Sequence, residues 1–338
     1  MPPADKTGWP WTEEGQPLPS TLPDGRSWPM VSIVTPSYNQ GQFLEETIRS
    51  VLLQGYPNLE YIVIDGCSND ESVEIIKKYA AWLSHWVSEN DGGQSAAINK
   101  GWSRAGGQML AWLNSDDVYR PGAVGAAACT FAEQPEADLV YGQARDRDEY
   151  GNQMSSTKGG PFDLESIVWG RNPVAQSSAF LSRRGFEVAV QLDETLHYAM
   201  DADLWLRIGY RSKVVFVDEV WSDFRFHPAS KSGGGRLPFL QDRYRMLWRA
   251  FQSEQLPASL LRKRSAALAQ SLLKIADAHY RVARDAQSRS YALKAIYQDI
   301  GLTRNGNFRR TLLKCLIGRR CIRTLKALPL STRTQHRM

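Results

Sequence analysis

The sequence predicts an α/β protein, a mixed, mostly parallel sheet flanked by helices, with a C-terminal α-helical extension. Three observations predict it. Short apolar runs alternate with helical periodicity between residues 31 and 113. A polar, acid- or amide-rich loop follows each of the four apolar runs. From Pro238 onward the pattern turns almost wholly helical. Strands that alternate with helices form right-handed crossovers and a largely parallel sheet. Ligands of such sheets bind beyond the carboxyl ends of the strands.

The elements follow in order. Residues 1–30 are an irregular lead-in in which Trp9, Trp11 and Trp28 can pin the chain to the body. Val31–Thr35 is a strand ended by Pro36. Gln42–Gln54 is a helix with Phe43, Leu44, Ile48, Val51 and Leu52 on one face, stopped by Gly55 and Pro57. Tyr61–Asp65 is a strand and Ser72–Trp82 a helix; Trp86–Val87 is a short strand and Ser95–Ala105 a helix; Met109–Leu113 is the fourth strand. Further on, Asp138–Gly142 and Val214–Val217 read as strands and Ala202–Gly209 as a helix. Ser265–Arg284 and Ser290–Asp299 form a helical hairpin, loosely like a tetratricopeptide unit, which cannot bury its own core alone and is expected to pack on the main domain. The predicted domains are the lead-in 1–30, a body 31–235 and a basic helical extension 236–338.

Composition sets the class. The 42% apolar and 23% charged shares are those of a soluble globular chain. Cys67, Cys129, Cys315 and Cys321 form no CxxC pair, which points to a reducing compartment and no zinc site. Residues 1–30 lack the apolar segment of a signal peptide, and no window reaches the length of a spanning helix. The expected location is cytoplasmic, free or on the inner face of the cell membrane. The net charge of +5 is uneven: residues 303–338 hold ten Lys/Arg and no Asp/Glu. A mildly acidic body argues against a nucleic-acid partner.

Asn114–Asp117, directly after the apolar run 109–113, is the sharpest local feature. Two adjacent carboxylates at the end of a buried strand are costly without a cation. A hard divalent ion on a nucleotide diphosphate resolves that cost, because it takes one or two carboxylates plus phosphate oxygens. A helix N-cap or a solvated turn before Tyr119–Pro121 explains the string equally well. The coincidence of four such loops on one edge is the stronger signal: residues 36–39, 65–70, 89–94 and 114–117.

In their order and spacing, residues 32–39 (SIVTPSYN), 64–70 (IDGCSND), 88–93 (SENDGG) and 114–118 (NSDDV) resemble family 2 glycosyltransferases of the GT-A fold, over about residues 28–235. Gly8–Trp11 is similar to the lead-in of a bacterial branch of that family. The resemblance implies a transferase that moves a sugar from a nucleotide-sugar to a glycan or lipid-linked hydroxyl in cell-surface polysaccharide synthesis, with inversion and Mg²⁺ or Mn²⁺. By position it assigns Thr35, Pro36, Tyr38 and Asn39 to the base and ribose, and Asp65 to hydrogen bonds from base or ribose. Ser68 and Asp70 support that loop. Asp91 and Gly92 lie near nucleotide and donor sugar, Asn99 and Lys100 reach sugar or phosphate, and Asp116 touches ribose or sugar. Asp117 holds the metal, and His227 binds metal or phosphate, with Gly233–Gly235 as the hinge of a lid. Asp201 is the base, with Asp203 the second choice and Met200 where the family usually has Glu. Gln176–Ser178 face the acceptor. Cys67, where the family usually has glycine, and Asn69, where threonine is common, depart from the pattern.

Structural alternatives stand beside these roles. Asp201 and Asp203 also suit a helix N-terminus, Lys100 a solvated helix face, and His227 a satisfied strand end. In the tail, Leu312, Leu313, Leu316, Ile317, Ile322 and Leu325 interleave with Lys314, Arg319, Arg320, Arg323 and Lys326. That pattern suits a membrane surface or packing on the acidic body. The competing activities are a sugar nucleotidyltransferase, which would want a glycine-rich phosphate loop after the first strand, and a non-catalytic nucleotide-sugar-binding scaffold.

Overall fold

The computed structural model describes residues 6–228, 230–231, 236–304 and 306–319. The chain divides into two compact units, Met1–Gly234 and Gly235–Met338. The first begins with β1 (Val31–Ser37), α1 (Gly41–Leu52), β2 (Leu59–Asp65), α2 (Ser72–Tyr79), β3 (His85–Ser88), α3 (Gln94–Trp102) and β4 (Met109–Trp112). It continues with β5 (Val118–Tyr119), α4 (Ala123–Glu133), β6 (Ala137–Arg147), β7 (Gln153–Lys158), α5 (Leu164–Trp169), β8 (Ala179–Ser182), α6 (Arg183–Ala189), α7 (Met200–Gly209) and β9 (Lys213–Arg225). The sheet order is β3-β2-β1-β4-β8-β6-β9-β5, with β7 paired to β6. β1, β2, β3 and β4 are mutually parallel; β8 joins β4 antiparallel, and β6 and β9 pair in parallel.

Parallel strands covered on both faces read as continuous apolar runs. Accordingly, Val31, Ile33, Val34, Ile62, Val63, Ile64, Leu110 and Ala111 are all buried. One boundary differs from expectation: β1 runs through Pro36 to Ser37 rather than ending at the proline. Alternation turns the Pro36 nitrogen toward β4, and β4 reaches only Trp112, opposite Val34. No ladder bond is therefore lost to the missing N–H.

The lead-in is fastened by its tryptophans. Trp9 Nε1 donates to the Tyr119 carbonyl at 2.7 Å, and Trp28 Nε1 to the Pro19 carbonyl at 2.8 Å. Arg49 donates to the carbonyls of Pro10 and Trp11, each at 2.9 Å.

The second unit holds α8 (Arg236–Gln252), α9 (Ala258–Leu261), α10 (Arg264–Arg281), α11 (Asp285–Gln298) and α12 (Gly306–Ile317). The expected hairpin is α10–α11. Its core does not depend on the body: Ala269, Leu272, Leu273 and Ala276 of α10 pack with Ala292 and Ala295 of α11 and Leu312 and Cys315 of α12. A third helix supplies the apolar surface that a lone hairpin lacks. Among the described residues no helix is long and apolar enough to cross a membrane. Cys67, Cys129 and Cys315 are free thiols. Gly233–Gly235, Arg320, Cys321, Ile322, Arg323, Leu325 and Lys326 lie outside the described residues.

Candidate active site

The loops after β1 and β2 clasp one another. The Asn39 amide donates to Ser68 Oγ at 2.8 Å, and the Asn69 amide to Asn39 Oδ1 at 2.9 Å. Asn39 sits at φ 51° and Cys67 at φ 67°. Asn tolerates this left-handed backbone. Cysteine does so at a cost, which explains why glycine is usual at that place in the resembling family.

Asp65 is wholly buried, yet its carboxylate is well supplied with donors. It accepts the Ser68 amide at 2.9 Å and the hydroxyls of Ser68 and Ser88, each at 2.6 Å. Asp70 accepts the first amides of two helices, Gly41 of α1 at 2.9 Å and Ser72 of α2 at 3.0 Å. Partial burial pushes this acid up, but the Ser72 hydroxyl and these amides outweigh it and hold its pKa below the ordinary value. Asp70 is thus a shared cap for both helices.

Above this edge stands the loop after β3. Asp91 accepts the Gly93 amide at 2.7 Å and lies against Gly66. A Cβ on Gly66 would stand 3.2 Å from Asp91 Oδ2 and 3.4 Å from the Tyr38 ring, so the close approach of both needs glycine. Tyr38 is 62% exposed and presents its face to solvent. Gln94, two residues after Gly92, continues the line. Its Nε2 donates to Asn114 Oδ1 at 2.6 Å, and Asn114 Nδ2 donates to Asp117 Oδ2 at 3.1 Å and to Gln176 Oε1 at 2.9 Å.

Asp117 is the buried centre of the cluster. It accepts the Arg225 amide at 3.1 Å. Burial first, then the adjacent charge of Asp116, pushes its pKa up to about 8. Asp116 is half-buried, and its Oδ2 meets His227 Nε2 at 2.9 Å. The His227 ring lies 4.7 Å from Phe43, and the Arg225 guanidinium lies 4.5 Å from the same ring. Arg225 also donates to the Asp116 carbonyl at 3.0 Å and pairs with Glu46 at 2.7 Å; Arg147 joins Glu46 at 2.7 Å. These guanidinium groups offset the buried acids from below.

Asp201 stands in the first turn of α7, and Asn172 Nδ2 donates to its Oδ2 at 3.0 Å. Burial raises its pKa. Asp203, the second choice, is paired with Arg207 at 2.8 Å. The helix is held by an aromatic stack: Trp205 lies parallel to Trp112 of β4 at 5.6 Å, and Trp112 meets Trp102 of α3 edge-on at 5.3 Å. Ser95 Oγ further ties α3 to the Met200 sulfur at 2.8 Å.

The structure therefore brings together Asp116, Asp117 and His227, with Asp65, Ser68, Asp70, Asp91, Asn39, Tyr38 and Gly92 on the loops of the adjoining edge. The Lys158 charge acts on both Asp117 and Asp201. Three assigned side chains are spent elsewhere. Thr35 Oγ1 is buried against Tyr61 Oη at 2.9 Å, leaving its backbone and that of buried Pro36 for any contact. Asn99 is committed to Leu192 and Glu194, each contact at 3.0 Å. Lys100 pairs with Glu89.

Sequence reasoning missed Lys158, Asn172, Arg225 and the part Asn114 plays. Lys158 Nζ lies 3.6 Å from Asp146 and over the rings of Phe224 at 3.1 Å and Phe226 at 4.4 Å. The alternating Phe224-Arg225-Phe226-His227 string held a signal, since a strand sends its aromatic pair to one face and its Arg/His pair to the other. Ser37 Oγ and Gln40 Oε1, on the same edge, are buried without a protein partner.

His227 meets Asp116, and the adjacent charges of Asp116 and Asp117 are a clash that a cation relieves. Among the described residues no group of three or more His, Cys, Asp and Glu side chains is placed to hold a metal ion by itself. A hard ion such as Mg²⁺ takes one or two carboxylates and fills its shell with water and substrate phosphate oxygens.

Residues 32–187 match the model for glycosyl transferase family 2. Over that stretch the chain is similar to family 2 glycosyltransferases. The uncharacterized glycosyltransferase RC0461 of Rickettsia conorii is 26% identical over 234 residues, covering 67% of this chain and 38% of that protein. This chain thus spans well under half of that relative's length. S. aureus TarS 1-349, solved with UDP-GlcNAc, superposes on this chain with TM-score 0.56 at 15% identity, covering 84% of this chain and 91% of the other. The mannosyltransferase PcManGT from Pyrobaculum calidifontis, solved with GDP-Man and Mn²⁺, gives 0.57 at 18% identity, covering 91% and 90%. These likenesses establish a GT-A fold.

Proposed function

We propose that this protein transfers a sugar, with inversion, from a nucleotide-diphosphate sugar to a hydroxyl of a glycan or lipid-linked acceptor in cell-surface polysaccharide synthesis. The observation that carries the reading is the continuity of this edge: Asp91 lies against Gly66, and three residues further along the chain Gln94 bonds Asn114, which bonds Asp117. It joins the edge suited to a nucleoside with the carboxylates suited to a cation-bridged diphosphate. Tyr38 and the clasped loops of Asn39 and Ser68 bound the base and ribose. Asp65 shapes that loop through Ser68 and Ser88 and keeps at most one acceptor site for the ligand.

Asp116 and Asp117, with His227 beside them, would hold Mg²⁺ or Mn²⁺, and the ion would supply Lewis-acid stabilisation of the departing diphosphate. Asp201, oriented by Asn172, takes the proton of the acceptor hydroxyl. The acceptor oxygen then bonds to the anomeric carbon as the carbon–oxygen bond to the diphosphate breaks on the opposite face. Burial strengthens Asp201 as a base relative to an ordinary aspartate. Known structural neighbours with GDP-Man and Mn²⁺ or with UDP-GlcNAc support this reading by their fold.

The test is nucleotide release across UDP-, GDP- and dTDP-sugars with Mn²⁺ and with chelator. Release from one donor, lost with chelator and lost in Asp117→Ala, is the expected result. Release that ignores the chelator overturns the metal role, and no release from any donor overturns the transfer.

A further inference from the structure

Charge is segregated between the two units. Residues 236–338 hold 22 Lys/Arg and five Asp/Glu, whereas residues 1–235 hold 19 and 31. The basic excess therefore belongs to the whole helical unit and not to its last residues alone.

A surface helix normally turns apolar residues inward and polar ones to solvent. α11 buries Ser288, Ala292 and Ala295 but sets Leu293, 58% exposed, and Tyr297, 95% exposed, beside the outward Arg289 and Lys294. Ile300 follows at 73% exposed. α8 repeats the composition, with Trp248 exposed beside Arg245 and Arg249. The acids of these two helices are engaged within the unit: Asp242 is buried and pairs with Arg245, and Asp285, on the stripe of Arg289, Leu293 and Tyr297, is half-buried and accepts the Arg319 amide. Between α8 and α11, over α10, runs an open groove of about 400 Å³ lined by Tyr244, Leu272, Leu293, Lys294, Tyr297 and Gln298. Tyr244 and Lys294 also line a second hollow beside it, with Arg245.

We propose that the outward face of α8 and α11 docks on an anionic lipid bilayer. Aromatic rings with a polar tip, aliphatic side chains and cations without exposed acid are what the boundary between headgroups and acyl chains accepts. A glycan chain would use the tyrosines and the lysine but gains nothing from exposed Leu293 and Ile300. The mode is surface attachment, and it is independent of the reaction proposed above.

The experiment is co-sedimentation of the full chain with phosphatidylcholine vesicles, with and without about one-third phosphatidylglycerol. Binding to the anionic vesicles only, weakened by salt, is expected. The Leu293→Ser/Tyr297→Ser double variant should lose at least about tenfold in partition, with an unchanged unfolding midpoint showing that it folds. A chain ending at Arg319 should keep most of the binding. Absence of vesicle binding, equal binding to neutral vesicles, or insensitivity to the double variant overturns the proposal. So does complete loss on removing residues 320–338, which would assign the contact to the tail. Capture by polygalacturonate instead of vesicles, with the same residue dependence, overturns it in favour of an acidic glycan.

Discussion

Two parts of the acidic edge treat their carboxylates in opposite ways. At the ends of β1 and β2, Asp65 and Asp70 are surrounded by donors from Ser68, Ser88, Gly41 and Ser72. At the ends of β4 and β9 and the start of α7, Asp117 and Asp201 have few donors, and burial raises both acids. In the first region the carboxylates are satisfied within the protein and set shape. The second holds unrelieved charge, which is where chemistry or a cation has most to gain.

Asp201→Asn tests that contrast most severely. Turnover should fall by about 100- to 10 000-fold, the usual contribution of a general base. Stability should move the other way. The fold raises the proton affinity of Asp201, so its ionised form weakens the protein once pH exceeds the folded value. Removing the charge should therefore raise the unfolding midpoint at neutral pH, and a lowered midpoint would contradict the contrast.

The pH profile sharpens it further. kcat/KM should fall as pH drops through the Asp201 value, with the acid limb above the ordinary 3.8. Lys158→Met should push that limb higher still, because the ammonium favours the ionised acid. An unmoved limb would show that Lys158 does not act on the base.

In the satisfied region the effects should be structural. Asp70→Ala removes a cap from both α1 and α2 and should cost about 1–2 kcal/mol in denaturant unfolding. Smaller still, Cys67→Gly relieves a left-handed backbone and should stabilise the protein by up to about 1 kcal/mol, after the extra freedom of glycine in the unfolded chain is counted.

The legible part of the molecule was its first half. There each strand precedes its own loop, so residues 31–117 could be ordered from periodicity alone. Between 118 and 235 the pattern failed. β5 and β8 have two and four residues, while β6 and β9 are longer than their apolar centres and each end in an arginine. The features missed there depend on remote partners. Glu46 and Arg225 are 179 residues apart in sequence, and Asn172 meets Asp201 across 29. Asn99 misleads for the same reason, since its partners lie 93 and 95 residues away.

Trp112 belongs to the strand that delivers Asn114–Asp117, and it stacks on Trp205 of the helix that carries Asp201. The proposed base and the Asp116–Asp117 carboxylates therefore share one mechanical mount. Asn172 and Gln176 brace that mount from the segment between α5 and β8, the one at Asp201 and the other at Asn114 and the Trp112 carbonyl. A substitution in that segment would therefore tilt one end of the mount while leaving its aromatic stack in place.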